Sequence, residues 1–522
     1  MIREISRRKC LRLWLCKPEY MERTKWENRF VLLRFRKKNY MMFLKDLKRF
    51  KMERLYDKLK AYSESDFYAF HMPGHKRNKA LLGIELPYDL DITEIDGFDD
   101  LHHADGILKE EQERAARVFG AEESHFLVNG STAGILSAVM GCTHRGDKIL
   151  AARHCHKSIY HAIYMNGLVP RYVYPEFDIS MHMNGEISKE DVAKALAAEP
   201  DIKAVVIVSP NYDGVVSDVK GIAEVAHSYR IPLIVDEAHG PHFGFHPAFP
   251  GRANDLGADV VINSLHKTLP SLTQTAILHI NGKIVNRRRI KKYLDMLQSS
   301  SPSYIFMASL DACVDFVDGK CENAFELYVE RLQKFREKLK PLQHLQILRT
   351  EHYDISKVVI STANANITSP ELADRLRKEY HLEMEMIGGT YVLAMTTVAD
   401  TQEGLDRLKA ALLEIDGQLE AKTVVFGSIE ISGELPRLEQ YFTPQEAADR
   451  EEDGEAEEIP WKESEGHISL EYAYLYPPGS PVIVPGERIS REAVELLCYY
   501  ETQNLQIEGI QTEGKIKVWK HE

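Results

Sequence analysis

The chain has 522 residues, a net charge of −13 and 44% hydrophobic against 28% charged residues. Single cores stop growing near roughly 250–300 residues, so more than one domain is expected. No run approaches the roughly 18 apolar residues of a membrane span. The seven cysteines (10, 16, 142, 155, 313, 321 and 498) form neither a CxxC pair nor a metal-ligand spacing, which argues against a disulfide scaffold or a zinc site and for reduced thiols in the cytoplasm.

Residues 1–51 carry 17 Lys and Arg against 5 Asp and Glu, leaving −25 for the remainder. Such a basic segment suits an anionic membrane surface or nucleic acid. It equally suits a poorly structured extension ahead of a start at Met41, Met42 or Met52. A signal peptide is not expected, because Arg12 interrupts the apolar stretch Leu11–Leu15 and no small-residue cleavage site follows. Every candidate functional residue lies after Met52, so the extension is expected to be dispensable for chemistry.

Leu55, Leu59 and Tyr62 fall at helical spacing. Pro73-Gly74 then marks a turn, flanked by His71, His75, Lys76 and Arg77, a cluster suited to an anionic group. The acidic stretch that follows, Asp89, Asp91, Glu94, Asp96, Asp99 and Asp100, reads either as a solvated loop or as a partner for a cationic substrate. After a helix over 107–119 and a strand over 124–128 comes Asn129-Gly-Ser-Thr-Ala-Gly-Ile135. A tight Gly-Ser-Thr turn opening an apolar helix places backbone amides and the Ser131 and Thr132 hydroxyls at a helix N-terminus, which is a phosphate cradle.

A strand over 148–152 ends in Arg153-His-Cys-His-Lys157. His156 at that strand end is either a structural hydrogen-bonding residue or a ring that stacks on a planar cofactor. Further strands cover 204–208 and 231–236, the second delivering Asp236 at its C-terminal end. Ligands of open parallel sheets bind at that edge, and a carboxylate there can hold a protonated pyridine nitrogen. The apolar run from Asp259 ends in Ser264, His266 and Lys267, 31 residues beyond Asp236. Taken alone Lys267 is also the pattern of a solvated lysine closing a strand. Paired with Asp236 it reads as a buried amine whose lowered pKa lets it attack an aldehyde and form a Schiff base.

Strands alternating with helices over 120–280 predict a doubly wound, mostly parallel sheet. Helices are expected to about residue 340, a small α+β unit over 341–420, and a last segment over 421–522. The run Glu451–Glu458 reads as a solvated loop. Prolines confine Tyr476–Glu487 to an extended, turn-rich path.

Seven motifs, in order, resemble the ornithine/lysine/arginine decarboxylase family. They are FHMPGHK at 70–76, DITEIDGFDDLHH at 91–103, NGSTAG at 129–134, HCHKS at 154–158, DEAHG at 236–240, SLHK at 264–267 and YPPGSPVIVPGE at 476–487. The resemblance implies an α/β fold of pyridoxal-phosphate fold type I, with a large cofactor-binding domain over 52–340 and smaller domains after it. It further implies that Lys267 carries the cofactor, Asp236 holds its ring nitrogen, His156 and Ala238 cover the two ring faces, and Ser131, Thr132, Ser264 and His266 hold its phosphate. The substrate would be a basic amino acid, arginine favoured over lysine and ornithine, its distal cation met by Glu94, Asp96 or Glu487. The family's large members carry an N-terminal receiver-like domain that residues 1–51 are too short and too basic to supply, which favours the shorter type, a homodimer with interfacial sites. An aminotransferase on the same fold and a non-catalytic binding protein are the alternative functions; membrane and nucleic-acid partners are not expected.

Overall fold

Residues 202–208, 233–236 and 260–263 are almost uninterrupted runs of Val, Ile, Leu and Ala. Strands covered on both faces need such runs, because neither face meets water. In the computed structural model they are the centre of a seven-stranded sheet: β1 (Glu123–Leu127), β2 (Lys148–Ala152), β3 (Val169–Val173), β4 (Ile202–Val208), β5 (Leu233–Asp236), β6 (Val260–Asn263) and β7 (Ala276–Ile280). The order is β1-β7-β6-β5-β4-β2-β3. All neighbours from β3 to β6 are parallel, whereas β7 runs antiparallel to both β6 and β1. The expected doubly wound, mostly parallel sheet is borne out. The structure describes residues 54–80, 83–178, 183–422, 434–475, 479–502 and 505–520; the basic segment 1–51 and Tyr476–Pro478 of the proline-rich stretch lie outside them. Leu55–Glu522 forms one unit, to which everything below belongs.

Helix Gly130–Cys142 lies tightly on this sheet. A Cβ at Gly134 would come within 2.6 Å of Leu127 Cδ1 and 3.3 Å of Ile262 Cγ2, so a larger residue there would push on buried side chains of the sheet. A second, antiparallel sheet of β8 (Gln346–Ile347), β9 (Lys357–Ser361), β10 (Met386–Ile387) and β11 (Tyr391–Met395) carries helices Ser369–Tyr380 and Gln402–Asp416. Its Val358, Ile360, Val392 and Ala394 share one apolar core with Leu265, Phe243 and helix Tyr304–Val317. No described helix is long and apolar enough to cross a membrane.

The acidic run at 451–458 departs from the solvated loop expected of it. It is shared between the end of helix Pro444–Glu452 and strand β12 (Ala456–Pro460), which pairs antiparallel with Lys515–Trp519. Glu458 stands opposite Lys517, Lys517 Nζ reaches Glu451 at 2.5 Å, and Trp519 Nε1 donates to Glu455 at 3.0 Å. Opposite charges across the ladder make a strand of a sequence whose composition alone reads as a loop.

Glu487 is fully buried, and its Oε2 accepts from Arg153 Nη2 at 2.9 Å and from the Val484 amide at 2.8 Å. Arg153, also fully buried, donates to the Val482 carbonyl and stacks over Tyr172 at 5.0 Å. Burial pushes the Glu487 carboxyl up while the Arg153 charge pulls it back down. This pair joins the end of β2 to the C-terminal segment and leaves Glu487 no access to a ligand, which corrects the expectation that it binds substrate. Glu487→Leu should therefore strand a buried guanidinium and lower stability by about 3–5 kcal/mol, read as a lower midpoint in urea denaturation.

Candidate functional site

Parallel strands end at a common edge, and residues just past their ends converge there. Five of the seven strands contribute in this way: β1 is followed by Asn129–Thr132, β2 by His154 and His156, β4 by Asn211–Asp213, β5 by Ala238 and His239, and β6 by Ser264–Lys267. Because β7 is antiparallel, it is its beginning that reaches the same edge, bringing Thr273 and Gln274. Together they line a cavity of about 360 Å³, within the usual range of small-molecule sites. Ser131, Thr132, His156, Asp236, Ala238, Ser264, His266 and Lys267 all line it. Glu94, Asp96 and Glu487 do not.

At one end of the cavity, helix Gly130–Cys142 starts without a side-chain cap. The Asn129 carboxamide instead accepts from the Ser299 amide at 3.1 Å. The amides of its first turn, with the helix dipole, therefore favour an anion. The Ser131 and Ser264 hydroxyls meet one another here. His266 Nδ1 donates to the Thr275 carbonyl at 2.8 Å, which places the lone pair of the neutral ring on Nε2. Uncapped amides and paired hydroxyls make a donor set for a phosphate, to which the His266 ring adds a donor only when Nε2 is protonated.

Further in stands Asp236, 3% exposed, one oxygen accepting from the Ala238 amide at 3.1 Å. Burial raises its carboxyl pKa and the charge of Lys267 lowers it. A carboxylate so withdrawn from water calls for a cation. His156 caps helix Lys157–Met165 through Ser158, Nδ1 lying 2.9 Å from Ser158 Oγ. Burial foremost, then Lys267, Lys157 and His161, push its pKa down to about 4. Its ring is therefore neutral near pH 7, with an edge already fixed and a face available for stacking.

Lys267 is half-buried, and burial pulls its amine below the ordinary lysine pKa while Asp236 and Glu385 pull the other way. Its Nζ lies 2.8 Å from Nε2 of His239, and His239 Nδ1 lies 2.9 Å from Nζ of Lys357. Neither His239 nor Lys357 was singled out from sequence. His239 had a signal, since it follows Asp236 past the same strand end. Lys357 opens an apolar strand, where sequence alone reads a solvated terminus. Also missed were Tyr212 and Asp213 past β4, and Ser480, whose hydroxyl donates to the His154 carbonyl at 2.8 Å and brings the C-terminal segment to the cavity wall. Gln274 holds φ at 83°, and its carbonyl accepts the Gly130 amide at 2.9 Å. Backbone outliers of this kind gather at functional sites.

The acidic stretch before residue 101 has a different place. Asp99 accepts the Gly106 and Leu108 amides, each at 2.9 Å, and caps helix Ile107–Phe119. Glu94 is half-buried and Asp96 exposed.

Residues 53–365 match the family described as Orn/Lys/Arg decarboxylase, major domain, and residues 433–514 its C-terminal domain. The arginine decarboxylase of Bacillus subtilis is 34% identical over 471 residues, covering 87% of this chain and 95% of that protein. That of Bacillus anthracis is 32% identical over 487 residues, covering 89% and 97%. Among solved structures, the lysine decarboxylase of Francisella novicida has a TM-score of 0.76 at 19% identity, over 92% of this chain and 83% of that one. The constitutive lysine decarboxylase of E. coli has a TM-score of 0.76 at 21% identity, over 89% and 82%. Those two likenesses show the fold, which is that of the fold type I enzymes, and the family implies pyridoxal phosphate. With the family match spanning most of the chain and the sequence relatives spanning nearly all of it, the chain belongs to the Orn/Lys/Arg decarboxylase family.

Proposed function

We propose that this chain decarboxylates a basic amino acid, arginine before lysine or ornithine, with pyridoxal phosphate held at Lys267. The observation that carries the reading is the convergence, in one cavity, of an amine of lowered pKa, a buried carboxylate and an uncapped helix N-terminus with hydroxyls. These residues fit the cofactor. The first turn of helix Gly130–Cys142, Ser131, Thr132, Ser264 and His266 would hold the phosphate; Asp236 would hold the ring nitrogen; His156 and Ala238 would flank the ring. When bound, pyridoxal phosphate supplies an aldehyde that takes up amines and a ring that accepts the electrons of the bond being broken.

The protein's own residues do the rest. Asp236 holds a proton at the ring nitrogen, because a buried carboxylate is stabilised by a cation beside it. Lys267 would hold the cofactor through its amine. Asp213 stands in the cavity wall at 7% exposure, with Oδ1 accepting from Tyr391 at 2.6 Å and burial pushing its pKa up to about 6. A buried carboxylate facing the cavity favours a substrate with a cationic tail. Arginine is preferred because four relatives at 32–34% identity are named arginine decarboxylase, whereas those named lysine decarboxylase are 23–24% identical. The protein is proposed to act as a cytoplasmic homodimer. Glu94 and Asp96 lie outside their own chain's cavity, so they would meet substrate only from a second subunit.

Incubation with cofactor and each of the three amino acids tests this reading. Carbon dioxide and agmatine from arginine are expected, with cadaverine and putrescine formed more slowly. A keto acid in place of carbon dioxide would make the chain an aminotransferase, and no product from any of the three would remove the catalytic reading. Asp236→Asn should keep the cofactor bound while kcat falls by about a hundredfold or more, since an amide does not stabilise a protonated ring nitrogen. An unchanged kcat takes Asp236 out of that role.

A further inference from the structure

Lys357 is one of the largest fully buried side chains, yet it belongs to β9 of the second sheet and makes no part of the cavity wall. Its stem passes Gly214, where φ is +105° and a Cβ would stand 2.7 Å from Lys357 Cγ. Its backbone is clamped as well: the Lys357 carbonyl accepts from Tyr353 at 2.9 Å and from Arg336 at 2.6 Å. What this tightly fitted lysine touches is His239, 2.9 Å from Nδ1, and the other ring nitrogen of His239 is 2.8 Å from Lys267 Nζ. The Tyr212 ring lies over all three groups: 4.5 Å from the His239 ring, 5.8 Å from Lys357 Nζ and 6.0 Å from Lys267 Nζ.

The hydrogen-bond chemistry of this row is restrictive. A neutral imidazole has one N–H and one lone pair. For both contacts to be hydrogen bonds, one lysine donates as an ammonium or amine, and the other accepts as an uncharged amine. Two ammonium groups would need an imidazole with two lone pairs. We propose that Lys357 is a positioning residue that, through His239, holds Lys267 as the uncharged amine: Lys357 Nζ donates to His239 Nδ1, and His239 Nε2–H donates to the Lys267 lone pair.

More carboxylates face Lys357 than face Lys267, which favours the charge on Lys357. Lys357 is faced by Asp354, Asp213 and Glu385, and by Lys267 as a like charge. Burial raises the Asp354 carboxyl pKa, but His242, Lys357 and Ser356 together bring it below its usual value. Lys267 is faced by Asp236 and Glu385, and Asp236 is the group assigned above to the cofactor ring. His239 is driven well below the usual histidine pKa by burial, then by Lys267, Lys357, His156 and His266, which keeps the ring neutral. Burial works against these carboxylates and brings Lys357 down to about 8, still above neutral pH.

The inference rests on Lys267 being the reacting amine, and it is tested on the protein without cofactor. Competitive acetylation with trace acetic anhydride over pH 6–11, followed by peptide mass spectrometry, gives the titration of Lys267 against exposed reference lysines. In the wild type, Lys267 should titrate clearly below the references. Lys357→Met removes the neighbouring cation and the polarity of the row, and should slow acetylation of Lys267 at pH 7 by about tenfold, one pKa unit. His239→Asn, which leaves Lys357 in place, should do the same, and Lys357→Arg should restore the wild-type titration. A wild-type Lys267 that titrates with the references overturns the proposal whether or not any variant folds. So does a folded Lys357→Met or His239→Asn protein whose Lys267 titrates as in the wild type. Either result leaves the decarboxylation reading to be decided by its products.

Discussion

An amine and a carboxylate drawn out of water at one sheet edge each lose several kcal/mol of solvation unless something replaces it, and the site is arranged around that constraint. Asp236 ends β5, and Lys267 follows β6, the neighbouring strand, in which Ile262 pairs with Asp236. Register alone therefore brings the two groups to the same place. The replacements for water are local: the Ala238 amide for Asp236, and His239 for Lys267. Both pKa values respond to burial first and to each other second.

From this constraint the division of labour among the elements follows. The parallel sheet supplies strand ends, and helix Gly130–Cys142 supplies an anion site because Gly134 lets it lie close and no side chain caps it. The second sheet supplies a buried cation behind the site, and the C-terminal segment supplies a wall. That segment is held by the Arg153–Glu487 pair, in which each partner satisfies the charge of the other at zero exposure. The reactive groups thus sit on strand ends and a helix start, elements stiff enough to fix them.

The parts of the site legible from sequence were those whose chemistry and strand-end position coincide. Asp236, Lys267 and the Ser131-Thr132 turn each follow an apolar run, and the eight residues assigned to cofactor chemistry line one cavity. Lys357 and Asp213 were missed because their roles arise from tertiary placement: Lys357 opens its strand like many solvated lysines, and only the fold buries it against His239. Glu487 was misread for the converse reason. A carboxylate in a rigid turn reads as a ligand group until the fold supplies Arg153 from 334 positions away. Asp99 shows the same effect within the acidic stretch, since its charge is taken up by the amides of a helix start.

The account turns on which lysine bears the cofactor, because two buried amines flank a single histidine. Borohydride reduction of the protein loaded with pyridoxal phosphate, followed by peptide mapping, addresses this directly. The account predicts a stable pyridoxyl adduct on Lys267 and none on Lys357. An adduct on Lys357 or on any other lysine, or no adduct at all, would contradict it.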